Sequence, residues 1–143
     1  MKKILLPTDG SKSSVHAIQT AIDFGYLDGH ELYLLSVVRP SMPMPAEATA
    51  YAKIPEIPTD YSERAAQALA AAKELIGPTR NIVQATSPEG DPAAKIIENT
   101  KELGIDLIIM GNRGLGAFSR TFLGSVSHKI LNHADCSVLI IKE

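Results

Sequence analysis

Three glycines and a serine stand at a spacing suited to holding a phosphate group. Gly111, Gly114 and Gly124 follow an apolar run that ends at Met110, and Ser125 comes directly after the last of them. Glycine lets a ligand approach the main chain closely, and a helix beginning near Ser125 would point N–H groups and its positive dipole end at an anion. A lone glycine more often only makes a turn, but the set predicts the phosphate-binding part of a nucleotide site.

This stretch differs from two common phosphate-binding loops. It lacks the lysine that a Walker A loop places before its serine, and Ser119 stands where a Rossmann fingerprint needs its third glycine. The hydroxyls of Ser125 and Ser127 lie near the predicted helix start. Arg113 and Arg120 flank the loop, and they are either phosphate contacts or solvated surface charges.

A second candidate stretch, Pro7-Thr8-Asp9, follows the first apolar run of the chain. A carboxylate at that point can accept hydrogen bonds from ribose hydroxyls or help to hold a metal ion on phosphates. Asp9 is equally suited to a turn or a helix cap. Val37, near the end of the next apolar run, is either the apolar wall of a base site or ordinary sheet core.

Catalytic groups are harder to find in the sequence than binding groups. The four histidines show no pairing with cysteine or carboxylates at metal-ligand spacing, and Cys136 has no recognisable base beside it. The residues therefore favour binding over catalysis. A slow ATPase or phosphotransferase using Asp9 and Ser125 is the alternative, and an interaction module whose glycines serve only the fold is a third reading.

The elements that must position these residues alternate in type along the chain. Five apolar runs, at residues 3–6, 31–38, 81–86, 105–110 and 138–141, are predicted strands. Segments of helical spacing separate them, and the last carries Val126, Ile130 and Leu131 toward the core. Such alternation predicts an α/β fold, a doubly wound, Rossmann-like five-stranded parallel sheet with helices on both faces and a ligand beyond the carboxyl ends of its strands.

Local signals mark the ends of the predicted helices. Ser11 or Ser13 is expected to cap the first helix, and Thr59 or Asp60 the second. Asp91 and Pro92 suit the N-cap and first position of the third, which Gly104 closes. Residues 40–58 contain five prolines, so no regular element is expected there beyond a helical turn at residues 46–53. That segment is a surface connection, a lid or a partner contact.

Composition narrows the classes of protein to consider. The chain has 143 residues, which suits one domain spanning 1–143. Its net charge of −2 argues against a partner bound through nucleic-acid phosphates. A single cysteine and no secretory signal fit the cytoplasm. No apolar run approaches the ~20 residues of a membrane helix, so membrane insertion is not expected.

The sequence resembles the universal stress protein family. That family's signature is similar to G-x2-G-x9-G-[ST], which appears here in full as Gly111, Gly114 and Gly124-Ser125. The opening residues 4–11, the second apolar run, Gly90-Asp91-Pro92 and the closing residues 137–142 are also similar to the family's, so the resemblance spans the whole chain.

The resemblance implies strand order 3-2-1-4-5 and places the chain in the ATP-binding branch, with a regulatory, stress-response role. Which of ATP, ADP or AMP is preferred stays open, as does the regulatory partner. It further implies Mg²⁺ or Mn²⁺ bound through the phosphates, and a homodimer, or a tetramer built from it, through residues 138–141. The implied nucleotide contacts, with Arg113 added from its place in the loop, are Pro7, Thr8, Asp9, Val37, Met110, Gly111, Arg113, Gly114, Gly124, Ser125, Val126 and Ser127.

Overall fold

A computed structural model describes residues 1–40, 61–113 and 123–143. Five strands and four helices alternate in the described part of the chain. In chain order they are β1 (Lys3–Pro7), α1 (Lys12–Asp23), β2 (Glu31–Leu35), α2 (Tyr61–Ile76), β3 (Asn81–Thr86), α3 (Pro92–Leu103), β4 (Leu107–Gly111), α4 (Ser125–His133) and β5 (Ser137–Ile141).

The strands form one parallel sheet in the order β3-β2-β1-β4-β5, which confirms the predicted fold class and strand order. β1 pairs with β2 from Lys3↔Glu31 to Pro7↔Leu35, so these two strands end side by side. β4 pairs with β5 along its whole length, ending at Gly111↔Ile141. The carboxyl ends of the strands therefore lie at one edge of the sheet, where ligands bind in folds of this kind.

Two apolar clusters, one on each face of the sheet, make up the core. On one face Ile4 and Leu6 of β1 pack with residues of α1 and α2, including Ile18 and Leu69. On the other, Leu5 packs with Ile96 of α3 and Ile130 of α4 in a second cluster. Alternate residues of β1 serve opposite faces because side chains of a strand alternate in direction. Both faces are thereby buried, as a parallel sheet requires.

The predicted helix ends are confirmed where the structure describes them. Ser11 caps α1 by accepting a hydrogen bond from Ser14 N at 3.3 Å. Asp91 caps α3 by accepting from Ala94 N at 3.0 Å, and Pro92 is the first helical residue. Gly104 closes α3 with φ of +66°, a left-handed conformation that glycine adopts without a steric penalty.

Several boundaries and one helix face differ from the predictions. β2 ends at Leu35 rather than at residue 38, since the chain beyond it pairs irregularly, Val38 N donating to Pro88 O at 2.8 Å. β4 begins at Leu107 because Ile105 N still bonds to Thr100 O of α3. Leu131 is 48% exposed while Ile130 is fully buried, since a helix turns only one stripe toward a sheet. The predictions for the second-helix cap, residues 41–58, Gly114 and Arg120 lie outside the described residues.

Candidate functional site

A cleft of about 510 Å³ lies at the carboxyl ends of β1, β2 and β4. The first turns of α2, α3 and α4 form other parts of its wall. Eleven of the twelve residues predicted from the sequence line it, and the twelfth, Gly114, lies outside the described residues. The eleven are Pro7, Thr8, Asp9, Val37, Met110, Gly111, Arg113, Gly124, Ser125, Val126 and Ser127.

The turn after β1 is held by its own side chains. Thr8 is buried, and its hydroxyl oxygen accepts from Gly10 N at 3.3 Å and donates to Ser14 Oγ at 3.1 Å. Asp9 Oδ1 accepts from Ser11 N at 2.9 Å, so its carboxylate fixes the turn while also facing the cleft. Asp9 therefore combines the two roles, turn residue and lining residue, that the sequence left as alternatives.

Gly111 is required for the close approach of β4 to α1. A Cβ built on Gly111 would lie 2.7 Å from the carbonyl oxygen of Ser13 and 2.8 Å from its carbonyl carbon. Real side chains do not tolerate such distances to backbone atoms, so the glycine lets the strand end touch the first turn of the helix. Ser13 Oγ in turn accepts from Arg113 N at 3.2 Å.

Asn112 connects the end of β4 to the start of α4, and the sequence analysis missed it. Its carbonyl oxygen accepts from Gly124 N at 2.7 Å and from Ser127 Oγ at 3.0 Å. Its own N–H donates to Ile141 O at 3.1 Å. Asn112 is 5% exposed, and a polar residue directly after a buried strand was the signal available in the sequence.

The side chain of Asn112 ties two further parts of the chain to the same point. Its Oδ1 accepts from Ser13 Oγ at 3.3 Å and from Glu143 N at 3.2 Å. One buried amide thus joins the first turn of α1 to the residues that follow β5. These contacts fix the end of β4, where Gly111 and Arg113 line the cleft, relative to α1 and to the residues after β5.

The first turn of α4 lines the cleft and, among the described residues, has no side-chain cap. Its N-cap is Gly124, which has no side chain to accept from the first N–H groups of the helix. Ser125 is exposed at the cleft, whereas Ser127 is buried and its hydroxyl donates to Asn112 O and to Gly124 O. Ser127 therefore supports the helix start through its hydroxyl, while its N–H belongs to the turn that attracts anions.

The charges lining the cleft are mostly positive. Arg39, Arg64 and Arg113 line it, against Asp9 as the single carboxylate among the described lining residues. None of the three arginines takes part in the ion pairs formed within the described ranges. Among the residues that the structure describes, the Nε of Arg113 is buried without a hydrogen-bond partner, a costly state for a charged donor. An anion in the cleft would satisfy it.

Sequence reasoning found the glycine stretch and the turn after β1, but it missed Arg39 and Arg64. It also missed the apolar lining from Leu35, Tyr61 and Ile96. No local signal marked Arg64, since Glu63 beside it already places a negative charge in the first turn of the helix. No local signal marked Arg39 either.

Metal ligands and reactive thiols are not prominent in the described part of the chain. No group of three His, Cys, Asp or Glu side chains comes together within residues 1–40, 61–113 and 123–143. Cys136 is half-buried, and that burial raises the pKa of its thiol above the ordinary value. A raised pKa lowers the fraction of reactive thiolate at neutral pH. None of the helices described is both long and apolar enough to cross a bilayer.

A doubly wound, five-stranded parallel sheet with a cleft at its strand ends is the architecture of Rossmann-like α/β proteins. Within that class the family is clear. The family model described as "Universal stress protein family" matches residues 1–142, and the chain belongs to that family. It is 30% identical over 145 residues to universal stress protein YxiE of Bacillus subtilis, covering 98% of both chains.

Solved structures show the same fold. The structure of hypothetical protein MJ0577 matches with a TM-score of 0.77 and 26% identity, covering 99% of this chain and 96% of that one. A universal stress protein in complex with cAMP matches with a TM-score of 0.69 and 20% identity, covering 98% and 96%. A family member from Arabidopsis thaliana with AMP bound matches with a TM-score of 0.65 and 19% identity, covering 100% and 92%.

Proposed function

We propose that this universal stress protein binds an adenine nucleotide in the cleft at the carboxyl ends of β1, β2 and β4. The proposal rests on two features of the cleft that an anion would stabilise. Among the described residues, the buried Nε of Arg113 has no hydrogen-bond partner, and the start of α4 has no side-chain cap. Both favour phosphate oxygens, which accept several hydrogen bonds at once.

The adenine part of the proposal draws on relatives. The solved family members with cAMP and with AMP share the fold of this chain, and their ligands are adenine nucleotides. In this chain Val37 and Ile96 supply apolar lining for a base, and Thr8 and Asp9 stand where a ribose would follow. We take ATP as the first ligand to test because the complete glycine-serine signature resembles that of the ATP-binding branch.

The donor set limits what the protein alone offers to a divalent ion. The described lining contains one carboxylate, Asp9, and that group already accepts from Ser11 N. Mg²⁺ and Mn²⁺ take six oxygen ligands as a rule, so most would come from phosphate and water. The residues thus fit a metal ion carried by the nucleotide, held by Asp9 and the hydroxyl of Ser125. The ion would supply charge neutralisation for the phosphates.

Two measurements test nucleotide binding directly. Denaturing the purified protein and analysing the released small molecules by mass spectrometry should yield an adenine nucleotide. A thermal-shift titration with Mg-ATP should raise the melting temperature, because a ligand bound only by the native state stabilises it, by about 2.7 kcal/mol at a hundredfold excess over Kd. If no nucleotide is released and the melting temperature does not shift, the glycines have a role in the fold only.

A variant at the start of α4 locates the site. Gly124→Val should abolish nucleotide binding without unfolding the protein, because a side chain would block the approach of phosphate to the first N–H groups. Gly124 has φ of −68° and ψ of 166°, which any residue can adopt. Ala134→Val, at the other end of the same helix with φ of −71° and ψ of 139°, is the matched control. Unchanged affinity in Gly124→Val would contradict the assignment.

Nucleotide binding in this cleft is proposed to serve regulation rather than catalysis. A bound nucleotide would join β1, β4 and α4, so the conformation of these elements, and any partner that reads it, would depend on the nucleotide. Turnover of Mg-ATP that Asp9→Ala abolishes while binding persists would instead indicate a slow ATPase or phosphotransferase.

We also propose a homodimer through β5. This strand is an edge of the sheet, with β4 on one side only, and four of its five residues are half-buried and apolar. An unpaired apolar edge tends to pair with another strand. The resemblance to the family supports a second copy of β5 as that strand.

A further inference from the structure

Two of the arginines that line the cleft come from outside the glycine stretch. Arg39 follows β2, and Arg64 lies in the first turn of α2. Both side chains are exposed to solvent, and neither forms an ion pair with the residues that the structure describes. Their guanidinium groups are therefore available to a ligand bound in the cleft.

Arg64 lies next to Glu63 in the first turn of α2, and only Arg64 of the two lines the cleft. The cleft also receives Arg113 and the positive end of α4. With Asp9 as the only described carboxylate in its lining, the cleft concentrates positive charge in a chain whose net charge is −2. Such focusing attracts anions in proportion to their charge.

We infer that Arg39 and Arg64 are specificity residues, which make the affinity of the cleft rise with the number of phosphate groups on the nucleotide. This inference rests on the proposed function. Adenosine is neutral, and each phosphate added to it increases the negative charge. Arginine suits the role because its planar fork can donate two parallel hydrogen bonds to phosphate oxygens. The glycine stretch binds the nucleotide, and the two arginines make the binding affinity depend on the charge of its phosphates.

The test compares three ligands on four proteins. Dissociation constants for adenosine, AMP and Mg-ATP are measured by calorimetry for the unmodified chain, Arg64→Gln, the double variant Arg39→Gln/Arg64→Gln, and Lys73→Gln. Lys73 lies in the last turn of α2, nine residues from Arg64 and outside the cleft lining. Its substitution therefore removes the same charge from the other end of the same helix. Melting temperatures without ligand show whether each variant is folded.

We expect the double variant to bind Mg-ATP about tenfold more weakly, with Arg64→Gln intermediate, and to bind adenosine within about twofold of the unmodified chain. AMP should lose less affinity than ATP. The dependence of ATP affinity on salt should also become shallower, because exposed charges are screened by salt. Lys73→Gln should leave all three affinities unchanged.

The alternative outcomes separate the two proposals. If the unmodified chain binds neither AMP nor ATP, the proposed function fails and this inference fails with it. If it binds them, and the double variant keeps its affinity for ATP, Arg39 and Arg64 are solvated surface charges and only this inference is overturned. An equal loss of affinity for adenosine and ATP would also overturn it, because a specificity residue must act on the phosphates alone.

Discussion

Gly111 shows that a residue of the glycine signature can have a direct role in the fold as well as a place in the candidate site. Its missing side chain makes room for the backbone of Ser13, and the residue also lines the cleft. A substitution at Gly111 would therefore not distinguish a loss of ligand binding from a loss of protein stability. Gly124 tests binding more cleanly, because its backbone conformation suits any residue.

We predict that Gly111→Ala destabilises the protein by about 2–3 kcal/mol, because the new methyl group would overlap Ser13 and force β4 and α1 apart. Urea denaturation followed by circular dichroism measures this change. Gly104→Ala is the comparison, since it has open space around it but a φ of +66°, and should cost about 1 kcal/mol. A smaller loss at Gly111 than at Gly104 would contradict the close contact.

Asn112 makes a second prediction at the scale of one residue. Asn112→Ala should destabilise the protein by about 2 kcal/mol, because Ser13 Oγ and Glu143 N lose their acceptor. It should also weaken nucleotide binding, since the amide of Asn112 helps to hold α1 against the end of β4, which lines the cleft. Urea denaturation and a Mg-ATP titration measure the two effects. A variant of unchanged stability would show that the Oδ1 contacts contribute little.

At the scale of elements, the sequence predicted most of what depends on local chemistry. The strand runs, the caps Ser11 and Asp91, and the alternation that implies a parallel sheet were all readable from residue type and spacing. The end of β2 was not, because Val38 continues to bond to the chain beyond β3 without regular register. Such irregular pairing is decided by the partner strand.

Contacts between distant elements were the other gap. Arg64 reaches the cleft because α2 begins beside the strand ends, and nothing local to residue 64 specifies where that helix starts in space. The same holds for Asn112, whose partners lie on α1, at the start of α4 and after β5. The glycine stretch was predictable because its chemistry is contained in one continuous segment.

The cap of α3 gives a prediction for a whole element. Asp91→Ala should cost about 1 kcal/mol, because Ala94 N loses its side-chain acceptor and the helix start loses a favourable negative charge. Asp91→Ser should retain most of the stability, since serine is also a good N-cap. The midpoint of urea denaturation measures both variants. Equal stability of the alanine and serine variants would show that the cap is dispensable.

At the scale of the whole molecule, the two edge strands of the sheet, β3 and β5, can be compared directly. If β5 pairs with a second copy, sedimentation equilibrium should give twice the 15.3 kDa mass of the chain at high concentration. Amide hydrogen exchange in residues 137–141 should slow as concentration rises, because more backbone donors become bonded. β3 is the other edge strand and serves as the internal control.

Dimerisation through β5 would be contradicted if amide exchange slows equally in β3 and β5, or if it slows in neither strand. A mass four times that of the chain, with β5 still protected, would indicate a tetramer built from such dimers. The mass and the exchange pattern together therefore distinguish the assembly from the strand that forms it.

The central position of β1 imposes an order in time on the assembly of this protein. β1 begins the chain, yet one of its two neighbours is β4, and Lys3 N bonds to Asp106 Oδ2 at 2.8 Å across 103 residues. During synthesis the first three strands can meet early, but the innermost strand keeps one open side until β4 emerges. Closing so long a loop slows folding. The cleft is then complete only after α4 follows, so nucleotide binding would report that the segment from β1 through α4 has been made and folded.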